Sequence, residues 1–271
     1  MRLISRSFHT KMHKDMKYLN DYEQALLSIF QTLTANTQPS FQFSTTFLQE
    51  NNAPEKKLFI LVGSQKGLCG NYNATITHWI DKNRSLLLKP HVHIFVLSKK
   101  IDDYLKKMGL QHKKLFSEIK LSTIDTVTTQ LLFAILDSKE KYTQVVIIAN
   151  NPKTFFSHEY NAVQLIPFKQ PQEPILKKQR TESLTDYVWS HDPHLLFETL
   201  FSLHLKNTLY ATLFLSLSGE QSARFIAMDN ATRNAQNFLD SMNLQFNKIR
   251  QAKITKELSE LAGAFESQMA F

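Results

Sequence analysis

EQSARFIAMDNATRNAQNFLDSMNLQFNKIRQAKITKELSEL, residues 220–261, is the stretch that decides the architecture. It lies in a proline-free tail from His194 to Phe271 whose only glycines are Gly219 and Gly263. Nothing in it breaks a helix, so the tail predicts one long helix. At 1.5 Å per residue, Glu220 to Ala262 would run about 65 Å, longer than a domain of this size is wide, so the helix is expected to project from the rest of the chain. Met228, Ala231, Ala235, Phe238, Met242, Phe246 and Ile249 step by threes and fours. That narrow seam suits a single partner helix. Beyond Ile249 the stripe slips by one position and resumes as Ile254, Leu258, Leu261 and Phe265. The two halves are therefore expected to face different neighbours. Asn230, Asn234, Asn237, Asn243 and Asn247 are poor helix formers, so external packing must hold the helix.

Working outward, Met16, Leu19, Tyr22, Leu26, Ile29 and Leu33 mark an amphipathic helix over residues 1–34, the expected partner of that seam. Residues 35–57, with Pro39, Pro54 and many small polar residues, read as a connection. Over 58–168 the pattern changes to short apolar runs, LFILVG at 58–63, HVHIFVL at 91–97 and QVVIIAN at 144–150, separated by helix-length segments. This predicts a βαβ, mainly parallel sheet. YNAVQLIPF at 160–168 follows the third run closely and reads as an added edge or antiparallel strand. Residues 169–190 form a polar, proline-containing linker, and Asp192-Pro193 caps the start of a helix over 191–271. The fold class is thus α/β with terminal helices forming a long antiparallel coiled coil beside a small Rossmann-like domain.

Composition narrows the function. The 271 residues are 42% hydrophobic, enough for a packed core, and contain no run of eighteen apolar residues. The single cysteine, Cys69, excludes an internal disulfide framework. A net charge of +8 includes Arg2, Arg6, Lys11, Lys14 and Lys17 near the start. This basic face suits an acidic protein partner, and aromatic-plus-basic interleaving for nucleic acid is lacking. MRLISRSFHTK also has the composition of a transit peptide.

GSQKGLCGNYN, residues 63–73, follows the first strand and precedes a helix, where a phosphate-binding loop would lie. It fits neither G-x-G-x-x-G nor G-x-x-x-x-G-K-[ST], so a tight glycine turn is the reading, with a nucleotide-binding enzyme as the alternative function. Cys69 has no Cys-His signature around it, and His91 and His93 lack a third metal ligand nearby. No catalytic, cofactor-binding or metal-binding residue is assigned, and no cofactor is expected. Arg250 and Gln251 sit at the phase slip, where they suit directional contact with a partner.

SARFIAMDNATRNA at 222–235 and NKIRQAKITKELSEL at 247–261 closely resemble the terminal signature of the ATP synthase gamma subunit family, and GLCG-x-x-N at 67–73 resembles a second one. D-P-x-x-L at 192–196 and the phase near Tyr22 also fit, so the resemblance covers about residues 10–262. It implies the rotor shaft of the F1 sector, with no active site of its own. The implied partners are the alpha and beta subunits of the hexamer, an epsilon or delta-type stalk subunit and the membrane c-ring, without nucleic acid or membrane insertion. The implied location is peripheral, on the cytoplasmic face of a bacterial inner membrane, with the mitochondrial matrix side as the alternative. Arg250, Gln251, Thr255 and Glu257 would engage loops of the catalytic subunits, Arg224 would tune coupling, and Lys66 and Cys69 would lie near the lower beta-subunit lobe. Where the family carries Asp, this chain has Gln65, an expected loss of one charged contact. Overlaid on the family, the first helix is expected to lack roughly twenty residues at its start.

Overall fold

The computed structural model describes residues 2–36, 56–116, 119–136, 142–154, 157–168 and 192–269. The expected linker over 169–190 and most of the connection over 35–57 lie outside them. The chain divides into two compact units, Met1–Ile226 and Ala227–Phe271.

In the first unit a five-stranded sheet has the order β3-β2-β1-β4-β5. Its strands are β1 (Lys57–Leu61), β2 (Val92–Val96), β3 (Lys114–Leu115), β4 (Gln144–Pro152) and β5 (His158–Ile166). The first four run parallel and β5 returns antiparallel against β4. The three long apolar runs thus form the sheet centre, and the alternating fourth run forms an edge, as the pattern predicts. The two-residue β3 carries no apolar run and is invisible to hydropathy.

Because successive strand residues point to opposite faces, one strand supplies two cores. Leu58, Ile60 and Val62 face one layer, whereas Phe59 and Leu61 face the other. The Phe59 side is covered by α2 (Ala74–Lys82), α3 (Arg84–Leu87) and α4 (Lys99–Lys107), through Ile76, Trp79, Ile80, Leu87, Ile101 and Leu105. The Leu58 side is covered by α1 (Arg2–Asn36), α5 (Ile124–Leu136) and the first part of α6 (Pro193–Met269). There Phe197, Phe201, Leu205, Leu209 and Leu213 recur every fourth residue and are all buried, a stripe that follows from helical periodicity.

The first helix pairs with the last, as expected. Phe30 packs edge-on against Phe197 with ring centroids 5.7 Å apart, Glu23 lies 2.7 Å from His204 Nδ1, and Asn207 donates to Glu23. Positions rise along α1 as they fall along α6, so the pair is antiparallel. Among its described side chains Leu26, Phe30 and Leu33 are buried, while Tyr22 and Ile29 are exposed. Within the first unit α1 therefore packs on the sheet-covering stripe of α6. A groove of about 340 Å³ between α1, α5 and α6 is lined by Leu19, Tyr22, Asp125, Leu203, Lys206, Asn207 and Tyr210.

α6 is 77 residues long, and the backbone N–H of Leu196 bonds the carbonyl of Asp192 at its start, as the Asp-Pro signal predicts. The second unit, taken by itself, is helix: every described side chain from Asn230 to Ala264 is exposed. Phe238, Met242, Phe246 and Ile249 of the seam are 51–69% accessible. No described helix is long and apolar enough to cross a membrane.

Candidate functional site

Most of the buried polar chemistry of the first unit gathers at the carboxyl end of β1, on the turn Gly63–Asn73. Gly63 is required there: a Cβ would stand 2.4 Å from Ile101 Cγ1 and 2.9 Å from Ser98 Oγ, so any side chain would push α4 away. The turn then passes through Leu68 (φ 62°) and Gly70 (φ 56°), both in the left-handed region. Glycine adopts this freely; the leucine is an outlier held by its surroundings. Asn73 closes the turn by accepting from the Ser64 N–H at 2.8 Å and donating to Ser64 Oγ at 2.8 Å.

Gln65 ties three segments together. Its Nε2 donates to the carbonyls of Gly63 (3.1 Å) and Leu97 (2.6 Å), and its Oε1 accepts from the Ile119 N–H at 3.1 Å. An aspartate has no donor for those carbonyls. The amide at this position is therefore a crosslink between the ends of β1 and β2 and not merely a lost charge.

The opposite side of the turn is fastened to α6. Glu220 Oε2 accepts from the Gln65 N–H at 2.9 Å, and Oε1 accepts from the Lys66 N–H at 3.1 Å. Arg224, one helical turn on, pairs with the same carboxylate and donates its Nε to the Gly67 carbonyl at 3.2 Å. Glu220 is 2% exposed and Arg224 5%. A buried carboxylate is tolerable because every contact is charge-assisted and its charge is matched. Tyr72 reaches the preceding turn of the helix, donating to the Ser216 carbonyl at 2.6 Å. Burial pushes its phenol well above the usual range, so it remains a neutral donor. Asn150, at the end of β4, donates to the Tyr72 carbonyl at 2.6 Å.

The residues expected to face partners separate into two groups. Cys69 is 2% exposed, packs with Tyr72 and Ala223, and lies 3.6 Å from the Lys66 carbonyl. Cys69 and Arg224 are therefore buried within the first unit. The reason is electrostatic for Arg224, whose charge neutralises Glu220, and steric for Cys69, whose turn folds its side chain inward. Lys66 presents an exposed side chain. In the second unit Arg250, Gln251, Thr255 and Glu257 are exposed; Thr255 Oγ1 donates back to the Gln251 carbonyl at 2.9 Å, and Glu257 lies 3.9 Å from Lys253. Exposed i,i+4 pairs of that kind add only about 0.3–0.5 kcal/mol.

Sequence reasoning missed Glu220, Tyr72 and Asn150. The spacing Ser216, Glu220, Arg224 does place three polar residues on one helix face, a signal that an otherwise apolar helix buries something polar. His93 is accounted for by Tyr142, whose hydroxyl lies 3.2 Å from its Nδ1, and His91 lies just before β2. Among the described residues no group of three His, Cys, Asp or Glu side chains could hold a metal ion.

The chain as a whole is similar to known proteins. The ATP synthase gamma chain of Clostridium novyi (strain NT) is 28% identical over 272 residues, covering 98% of this chain and 90% of that one. The ATP synthase gamma chain of Amoebophilus asiaticus (strain 5a2) is 28% identical over 275 residues, covering 98% and 91%. A chain in the cryo-EM structure of the Euglena gracilis mitochondrial ATP synthase, comprising OSCP, F1 and c-ring, superposes with a TM-score of 0.60 at 15% identity, over 99% of this chain and 95% of that one. A family model described as ATP synthase matches residues 1–267, and on that match this chain belongs to the ATP synthase family, with relatives named as its gamma chain.

Proposed function

We propose that this chain is the central rotor-stalk subunit of an F-type ATP synthase, coupling ion flow through a membrane sector to conformational change at catalytic sites on other subunits. The observation that carries the reading is the helix of the second unit, with its apolar seam uncovered over Phe238, Met242, Phe246 and Ile249. Exposed apolar area of that extent marks a surface built for partners. The alpha and beta subunits of the hexamer are the partners that would cover it, with an epsilon or delta-type stalk subunit and the c-ring at the other end. The chain itself contributes no catalytic group in this reading and is peripheral to the membrane, on the cytoplasmic face of a bacterial inner membrane.

The mechanism is geometric. A helix without threefold symmetry presents a different face to each of three catalytic subunits, so its rotation biases each site between open and closed states in turn. Arg250, Gln251, Thr255 and Glu257 supply the polar contacts, and Lys66 supplies a cation near the base of the ring. The competing reading, a nucleotide-binding enzyme, is disfavoured because the first-turn amides are already engaged by Glu220.

Co-expression with alpha and beta subunits tests the proposal. The expected result is a complex of this chain with both subunits that hydrolyses ATP. A chain that stays monomeric at high concentration and never co-purifies with those subunits would refute it.

A further inference from the structure

In an open α/β sheet, ligands settle outside the carboxyl ends of the strands where the strand order reverses, and phosphates are held there by backbone N–H groups of the first turn. In this chain the reversal falls between β1 and β4, since the path leads from β1 outward through β2 and β3 and then returns to β4 on the other side of β1. The turn after β1 points two consecutive N–H groups, of Gln65 and Lys66, at one place. Consecutive amides of this kind form an anion-binding concavity.

We propose that Glu220 is a built-in ligand of this anion seat: a carboxylate delivered by α6 stands where a free oxyanion would bind, with Arg224 as the neutralising cation. Each oxygen of the carboxylate takes one of the two amides, and the Arg224 Nε holds the rim of the seat through the Gly67 carbonyl. Ser216, Glu220 and Arg224 fall four residues apart, so one stripe of the helix meets the turn, with Tyr72 bonded to Ser216 as a second fastening. The crevice that other α/β proteins leave open for a ligand is thereby a fixed joint between the sheet and α6. The seat does not depend on the rotor reading, since it rests on contacts within the first unit.

The consequence is that removing the carboxylate opens a site for a small oxyanion. The test uses the full-length chain with Glu220→Gly, and Glu220→Gln as the variant that keeps the side-chain volume. Amide hydrogen exchange is compared in sodium chloride, sodium acetate and sodium phosphate at matched ionic strength. In chloride, the Gln65 and Lys66 amides of Glu220→Gly are expected to exchange at least about tenfold faster than in the parent, with Ile94 and Phe95 of β2 unchanged. Acetate or phosphate should restore their protection in Glu220→Gly and have no such effect in the parent or in Glu220→Gln, whose carboxamide still fills the seat. Unchanged exchange at Gln65 and Lys66, or an identical response to the three salts in all proteins, overturns the proposal. Should Glu220→Gly fail to fold in all three salts, Glu220→Gln decides: faster exchange confined to Gln65 and Lys66 supports the seat, and parent-like exchange overturns it. None of these readouts requires alpha or beta subunits, so failure of the seat and failure of the rotor reading are distinguishable.

Discussion

Residues 197–224 and residues 230–264 belong to one α-helix, yet they live under different rules. In the first stretch the apolar stripe Phe197, Phe201, Leu205, Leu209 and Leu213 is buried under the sheet, and the polar stripe Ser216, Glu220 and Arg224 is buried against the turn. In the second, Phe238, Met242 and Phe246 repeat at the same spacing and remain exposed. Periodicity is common to both, so it reports that a face is to be covered but not by what. The first stretch is covered by its own chain; in the second every described side chain from Asn230 to Ala264 is exposed.

The comparison is most easily broken by paired large-to-small substitutions. Phe201→Ala should cost about 3–5 kcal/mol of folding stability in chemical denaturation of the full chain, because a fully buried ring leaves a cavity. Phe246→Ala should stay within about 0.5 kcal/mol in the same assay. Equal costs at the two positions would mean that the second stretch is covered within the chain.

Arg250 and Gln251 sharpen the contrast. Their double replacement by alanine should leave the denaturation midpoint unchanged, since both side chains are exposed. It should depress ATP turnover of the assembled complex by at least about tenfold, as charge-assisted bonds contribute about 1.5–3 kcal/mol each. Wild-type turnover and assembly in that variant would remove these two residues from the contact set while leaving the family membership intact.

Smaller effects are expected at the turn and at the helix start. Cys69→Ser exchanges one buried, weakly bonded group for another, so stability should fall by less than about 1 kcal/mol and turnover of the complex should barely move. A tenfold loss of turnover would revive the enzymatic reading of the turn. Leu195→Ala should change stability by less than about 0.5 kcal/mol, because Leu195 is 54% exposed. A loss above about 1 kcal/mol in chemical denaturation would contradict that exposure.

Much of this molecule was legible before its fold was known. The runs at 58–63, 91–97 and 144–150 became the central strands because continuous apolar runs suit strands buried on both faces. Asp192-Pro193 started the last helix because its cap and first-turn chemistry are local. The phase of the first helix was misread at Tyr22 and Ile29, since a stripe of threes and fours can be drawn through either Ile29 or Phe30 and only packing chooses between them. The candidate site was half legible: the glycines and Asn73 announced a tight turn, while Glu220, 155 residues from Gln65, carried no local sign of its partner.

By itself the sequence determined the long last helix, the three central strands and the membership of the ATP synthase family, because propensity, periodicity and signature spacing are properties of short stretches. Tertiary structure alone decided which face of α1 is inside, that Gln65 crosslinks two strand ends, and that Arg224 and Cys69 turn inward. Each of those outcomes depends on groups far apart in the chain competing for one buried place, where charge must be matched and every polar atom must find a partner.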